Sequence, residues 1–440
     1  MQPDSLLLDN PVWRKPLINL GRGSFFCALP QTFFSFIFPV INDLVAEDSS
    51  LKRAYDHRRA KFLEIEIART FSNAFPGAEI VTGFQWRDGE QKFENDLLIR
   101  MDSHLLLVEA KSGAISWPAL RGAPDRARRH IEDLLYAPSA QSARLADRIR
   151  AVVKAPELRD SLLPNLDLRL DLVRTVLRLS VTLENFAAIQ SNTQILKMTG
   201  WIPKGHKLAP CITLADLNVI FDILEPPGQK VYYLRRRAEL EEQMEYLGDE
   251  LDLLGFYLAT GFNIEGTEAE GVGLNIVGMS SRVDKYFIAR AEGIICPKPR
   301  LRLSKWWTDI CSKIEARNFH QWTEVSNILL GVPLQAQENA YKIFRKLATS
   351  VRRNGGGHND TAFLAPSKFK SDALVLYAFP EYQKDYRYER IHRLASQAFT
   401  HPQIERCLVL ALDSKKHNYP YGTLAVLFKG EDLGKNLIVY

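Results

Sequence analysis

Residues 93–113 read F-E-N-D-L-L-I-R-M-D-S-H-L-L-L-V-E-A-K-S-G. Two apolar runs, Leu97-Leu98-Ile99 and Leu105-Leu106-Leu107-Val108, flank the polar turn Asp102-Ser103-His104. Short apolar runs joined by a tight polar connection predict a β-hairpin. Asp96 enters the first strand, and Glu109 and Lys111 leave the second. Strand side chains alternate faces, so Glu109 and Lys111 share one face and Ala110 takes the other. Pairing of the strands brings Asp96 close to Glu109 and Lys111. Two converging carboxylates bind a hard divalent cation such as Mg²⁺. A lysine beside them orients or deprotonates a water, or steadies developing negative charge. That combination suits hydrolysis of a phosphodiester.

The bare pattern is common. An Asp, a gap of ten to twenty residues and then acid-x-Lys is expected about twice by chance in a chain this charged. Context selects this copy, because both acids sit on apolar strands, where a charge is costly without a partner. A rival run, Leu408-Val409-Leu410-Ala411-Leu412-Asp413-Ser414-Lys415, also ends in acid-x-Lys, but residues 391–404 upstream hold no acid. A plain edge hairpin with a solvated salt bridge is the alternative for residues 93–113.

The stretch resembles the PD-(D/E)xK nuclease superfamily over roughly residues 55–185, with Asn95 in place of the proline before Asp96. The resemblance implies an α/β fold, a restriction-endonuclease-like mixed sheet flanked by helices, and a site for Mg²⁺ or Mn²⁺. It implies that Asp96 and Glu109 bind the metal, with the Ala110 carbonyl as a further ligand. Lys111 then positions the attacking water, and Glu64 supports the metal or its water. Gln141, on the helix after the lysine strand, orients Lys111 or a phosphate. The expected substrate is DNA more often than RNA. A bacterial role in restriction or anti-phage defence follows from the superfamily alone, with a homo-oligomer or a defence-complex partner both open.

Working outward, Tyr55–Phe75 is expected to be a helix, with Phe62, Leu63, Ile67 and Phe71 near helical spacing. Glu64 shares a face with Ile67 and Phe71, whereas Glu66 points elsewhere. The alternative for Glu64 is an ordinary surface glutamate. Glu79–Trp86 reads as a strand, and Asp88-Gly89 as a turn. After Lys111 comes a basic stretch, Arg121, Arg126, Arg128, Arg129 and His130. A helix over 127–136 is expected to break at Pro138, and a second from Ser139 carries Gln141, Arg144 and Arg148. Arg121, Arg126, Arg128, Arg129 and Arg144 are candidates for phosphate contact. The other reading of the cluster is a solvated face pairing with Asp125, Glu132 and Asp133.

Val173–Glu184 alternates as a strand. Thr213 reads as a helix N-cap. Leu234–Leu258 reads as one long helix, whose run Asp249-Glu250-Leu251-Asp252 is a solvated acidic face in preference to a second metal site. Three units are expected: a docking segment over 1–50, a nuclease domain over 51–260 and an α+β domain over 261–440.

At 440 residues the chain has room for two or three domains, and 46% apolar residues allow real cores. A net charge of +5 excludes a polycation, so nucleic-acid affinity must come from local patches. Five scattered cysteines, an odd number without zinc-ligand spacing, argue against a disulfide framework and fit a reducing cytoplasm. The N-terminus lacks a secretory pattern. Phe33–Val45 is too short for a membrane span and is expected to be a buried helix. Two rival functions remain: an inactive nucleic-acid-binding or scaffold subunit with the same fold, and an RNA-processing nuclease. No aromatic single-strand-binding signature favours the second.

Overall fold

The computed structural model describes residues 15–116, 119, 123–185, 193–243, 245–264, 273–357, 360–364, 371–414 and 419–431. The architecture is mixed α/β, with mixed sheets flanked by helices. After an N-terminal ribbon, β1 (Ile18–Gly21) and β2 (Ser24–Phe26), comes a five-stranded sheet. Its strands are β3 (Glu79–Asp88), β4 (Gln91–Met101), β5 (His104–Lys111), β6 (Thr175–Thr182) and β7 (Cys211–Thr213), in that spatial order. β3, β4 and β5 form an antiparallel meander, and β5, β6 and β7 run parallel. The expected hairpin is present, in register from Met101↔His104 to Leu97↔Val108.

One face of the sheet is covered by the helix Ser49–Ala74. Asp48 caps it by accepting from the amides of Ser50 and Leu51. Leu63, Ile67 and Phe71 recur every four residues and are buried against Leu97, Ile99 and Val108. Burying such a side chain stabilises the fold by roughly 1.5–3 kcal/mol. Phe62, expected in this stripe, lies outside it and is 53% exposed. The other face is covered by the helix Ala137–Lys154, whose Leu145, Ile149 and Val152 pack on Leu98, Leu105 and Leu107.

This second helix continues the helix Pro124–Ile131 through one π-helical turn, Glu132–Tyr136. The break expected at Pro138 does not occur. The proline stands in the first turn of Ala137–Lys154, where its missing N–H is tolerated.

The long helix expected over Leu234–Leu258 is two helices, Pro227–Gln243 and Glu250–Thr260, separated by β8 (Glu245–Leu247). The acidic run is the reason. Asp249 caps the second helix, with Asp252 completing a capping box. Nor is the run a solvated face. Glu250 accepts from the Tyr233 hydroxyl at 2.6 Å and Arg237 Nε at 3.0 Å, and Asp252 from the amides of Gly278 and Ser280. β8 pairs in parallel with β9 (Gly273–Asn275), and Phe262, Ile276 and Val283 join the core around Leu63.

The second sheet has the order β10 (Thr361–Leu364), β11 (Asp372–Phe379), β12 (Arg406–Asp413) and β13 (Thr423–Phe428). This sheet is mixed: β10–β11 and β12–β13 are antiparallel. β11 and β12 are parallel, because the helix Arg387–Phe399 crosses over between them. That helix covers one face of the sheet, and Leu334–Asn354 covers the other. The helix Ile37–Ala46 is not the buried helix expected within Phe33–Val45. It has no buried residue, and Phe34, Phe38 and Leu44 are exposed. Among the described residues, no helix is long and apolar enough to cross a membrane.

Candidate functional site

The hairpin ladder of β4 and β5 ends at Leu97↔Val108, and side chains take over beyond it. In the neighbouring β3–β4 ladder, partners run Thr82↔Leu97 and then Phe84↔Asn95, passing over Gly83 and Asp96. Gly83 stands there at φ +61°, a left-handed conformation that a side chain would strain. Freed from regular pairing, the Asp96 carboxylate accepts the Ala110 amide at 2.7 Å through Oδ2.

Glu109 is held by different partners. Asn95 Nδ2 donates to its Oε1 at 2.7 Å. Gln141 Nε2 lies 3.2 and 3.1 Å from Oε1 and Oε2, and also donates to the Glu94 carbonyl. Gln141, expected to orient Lys111 or a phosphate, here holds Glu109. Asn95 was passed over in the sequence as a variant letter. The available signal is an amide directly before the acid, at the point where the strand turns apolar. Its side chain is fully buried, and its Oδ1 has no hydrogen-bond partner.

Glu109 is 1% exposed. Burial, then the charge of Asp96, pushes its carboxyl up to about 8, against the weaker opposing effects of Asn95, Lys111 and Gln141. Burial also raises Asp96, with the charges of Glu64 and Glu94 acting in the same direction. Lys111 is half-buried, and its charge acts on both acids. Glu64 stands beside the buried stripe, near enough to influence Asp96, and bonds Lys61 at 3.2 Å. Glu66 instead pairs with Arg69.

Arg126, Arg128 and Arg129 are exposed on Pro124–Ile131. Among the described residues they form no ion pair, so the expected alternative of pairing with Asp125, Glu132 and Asp133 is not seen. Arg144 lies one turn beyond Gln141, its guanidinium 4.5 Å from the Phe93 ring centre. Arg121 lies outside the described residues.

Among the described residues, no group of three or more His, Cys, Asp and Glu side chains is arranged to hold a metal ion. The donors Asp96, Glu109 and the Ala110 carbonyl are all oxygen. They fit Mg²⁺, which commonly takes one or two carboxylates and keeps waters and substrate phosphates in its remaining positions. No described lysine or arginine reaches ion-pair distance of either acid, and a bound cation would favour the ionised form of both.

The other end of the hairpin was read only as a turn. Asp102, at φ +54°, accepts from the amides of Gln321 and Thr323. Ser103 and His104 are fully buried against the helix Trp322–Leu330. Comparison with protein-family models, with curated proteins and with solved structures gives no match to this chain.

Proposed function

We propose that the chain is a divalent-metal-dependent nuclease with a restriction-endonuclease-like core, acting on DNA in preference to RNA. The observation that carries this reading is a pair of carboxylates, the buried Glu109 and the half-buried Asp96, beside Lys111 and with no ion-paired partner among the described residues. When bound, Mg²⁺ or Mn²⁺ supplies Lewis acidity at the scissile phosphate. Asp96, Glu109 and the Ala110 carbonyl hold it. The Ala110 amide fixes Asp96, while Asn95 and Gln141 fix Glu109, so both acids are oriented before substrate arrives. Lys111 positions the attacking water and offsets charge at the phosphate. Glu64 supports this centre from the neighbouring helix. Arg126, Arg128, Arg129 and Arg144 grip the phosphate backbone.

A second reading, an inactive nucleic-acid-binding scaffold, is favoured by one observation. Glu64 bonds Lys61, and among the described residues no third carboxylate completes a cage. Incubating the purified chain with plasmid, RNA and single strands, each with Mg²⁺ or Mn²⁺, separates the readings. Metal-dependent nicking of plasmid that chelator abolishes is the expected result. No cutting of any substrate with any divalent metal would overturn the nuclease in favour of the scaffold.

A further inference from the structure

We propose that a second nucleic-acid site lies in the C-terminal half of the chain. It is the cleft between the helices Lys305–Arg317 and Leu334–Asn354, and it takes a single strand. The cleft has a volume of about 980 Å³ and is lined by Lys305, Lys313, Lys342 and Arg345. Among the described residues, none of these four forms an ion pair. Arg352 also lines the cleft, tied to the Ser414 carbonyl at 2.8 Å, against only two acids, Asp309 and Glu338. An open cleft with unpaired cations draws a polyanion.

Aromatic rings alternate with these cations. Trp306 is fixed by its Nε1 donating to the Pro420 carbonyl at 2.9 Å. The Tyr341 ring lies 5.3 Å from it and is 40% exposed. Arg345 stands 6.0 Å from the Tyr341 ring centre, and Lys313 stands 5.6 Å from that of Tyr419 on the far wall. The exposed Tyr341 ring and the half-buried Trp306 and Tyr419, set beside cations, match a strand whose phosphates and unstacked bases alternate. A duplex hides its base faces, and an acidic peptide has no use for the rings. The basic run Lys342–Arg353 is legible in the sequence as a grip for nucleic acid or as plain surface, but the rings are not, because Trp306, Tyr341 and Tyr419 are far apart in the chain.

The proposal deepens the nuclease reading but stands on the cleft alone, since its test uses chelator and measures binding without cleavage. Fluorescence anisotropy of a labelled oligothymidylate of about twenty nucleotides, longer than one cleft requires, is titrated with the full chain. Wild-type binding is expected to weaken steeply with salt. Lys342→Glu with Arg345→Glu is expected to weaken it about tenfold or more and to flatten the salt dependence. Tyr341→Ala is expected to weaken it about fivefold or more with the salt slope kept, the mark of lost stacking.

These side chains are exposed, so thermal melting should be unchanged. If the double variant melts early, Lys313→Glu on the opposite wall replaces it. Wild-type affinity in both the charge variants and Tyr341→Ala would overturn the proposal. So would equal displacement by polyglutamate, which marks a protein-binding surface, or by adenosine monophosphate, which marks a mononucleotide pocket. Plasmid cleavage measured separately can stand or fail in any of these cases.

Discussion

The β4–β5 hairpin carries a buried polar cluster at each end, and the two clusters are completed differently. At the turn, Glu324 is 1% exposed and pairs with Arg406, which forks onto Asp372 at 2.6 and 2.7 Å. His104 is held on both ring nitrogens, Nδ1 to Thr323 and Nε2 to Asn327, each at 2.9 Å. At the open end, Asp96 and Glu109 have amide donors and feel the charge of Lys111, but no cation among the described residues reaches ion-pair distance. Burying a charge costs several kcal/mol unless a partner offsets it. The turn finds its partners within the chain and serves as a joint between the two sheets. The open end leaves the offset to something bound.

The two ends therefore respond differently when broken. Glu324→Ala leaves Arg406, which is 8% exposed, with Asp372 as its one carboxylate partner among the described residues, and removes an acceptor from the buried hydroxyl of Ser103 and from that of Thr175. A loss of about 3–5 kcal/mol in urea unfolding is expected. A loss under about 1 kcal/mol, typical of exposed pairs, would mean that the joint is not structural.

Lys111→Ala should leave stability and nucleic-acid binding mostly intact while removing charge stabilisation of about 2–4 kcal/mol, a rate loss of a hundredfold or more. Cleavage at the wild-type rate would refute its role. Asp96→Ala loses cleavage through metal affinity instead, so excess Mn²⁺ should partly restore it.

Acid and base sharpen the contrast. Burial holds the His104 ring down to about 4, against 6.5 when unfolded. Its contribution to stability is lost as pH falls from 6.5 toward 4, because the unfolded chain takes the proton first. Burial alone would raise Glu324, but its ion pair with Arg406 outweighs it and holds it low, so it too loses stability in acid. Glu109 behaves oppositely. Its raised carboxyl stays protonated in the fold while the unfolded chain ionises, so stability falls as pH rises from 4.5 toward about 8.

Glu109→Gln should match the wild type near pH 4.5 and become the more stable metal-free protein by about pH 8, by a few kcal/mol at most. Thermal melts across that range check it, and parallel curves would remove the claim. Added Mn²⁺ should stabilise only the wild type.

The smallest effect is expected at the exposed arginines. Changing Arg126, Arg128 and Arg129 together to alanine should flatten the salt slope of DNA binding by about 2–3 units. Melting should not change, and an unchanged slope would make them ordinary surface.

Residues 93–113 alone determined the hairpin, because apolar runs and a polar turn are local signals. They also determined which acids and which lysine stand at its open end, since strand alternation fixes their faces. The stripe of Leu63, Ile67 and Phe71 was equally legible from its spacing. Tertiary structure decided what those residues touch. Gln141 meets Glu109, 32 positions away, and Asn95 becomes a donor only because β5 lies beside it. Thr323, 219 positions from His104, turns a plain connection into a buried joint. Hydrophobic periodicity reports the face a side chain takes, but hydrogen bonds and ion pairs depend on contacts that chain separation conceals. The pairing that distinguishes the two ends of the hairpin was therefore visible only in the folded chain.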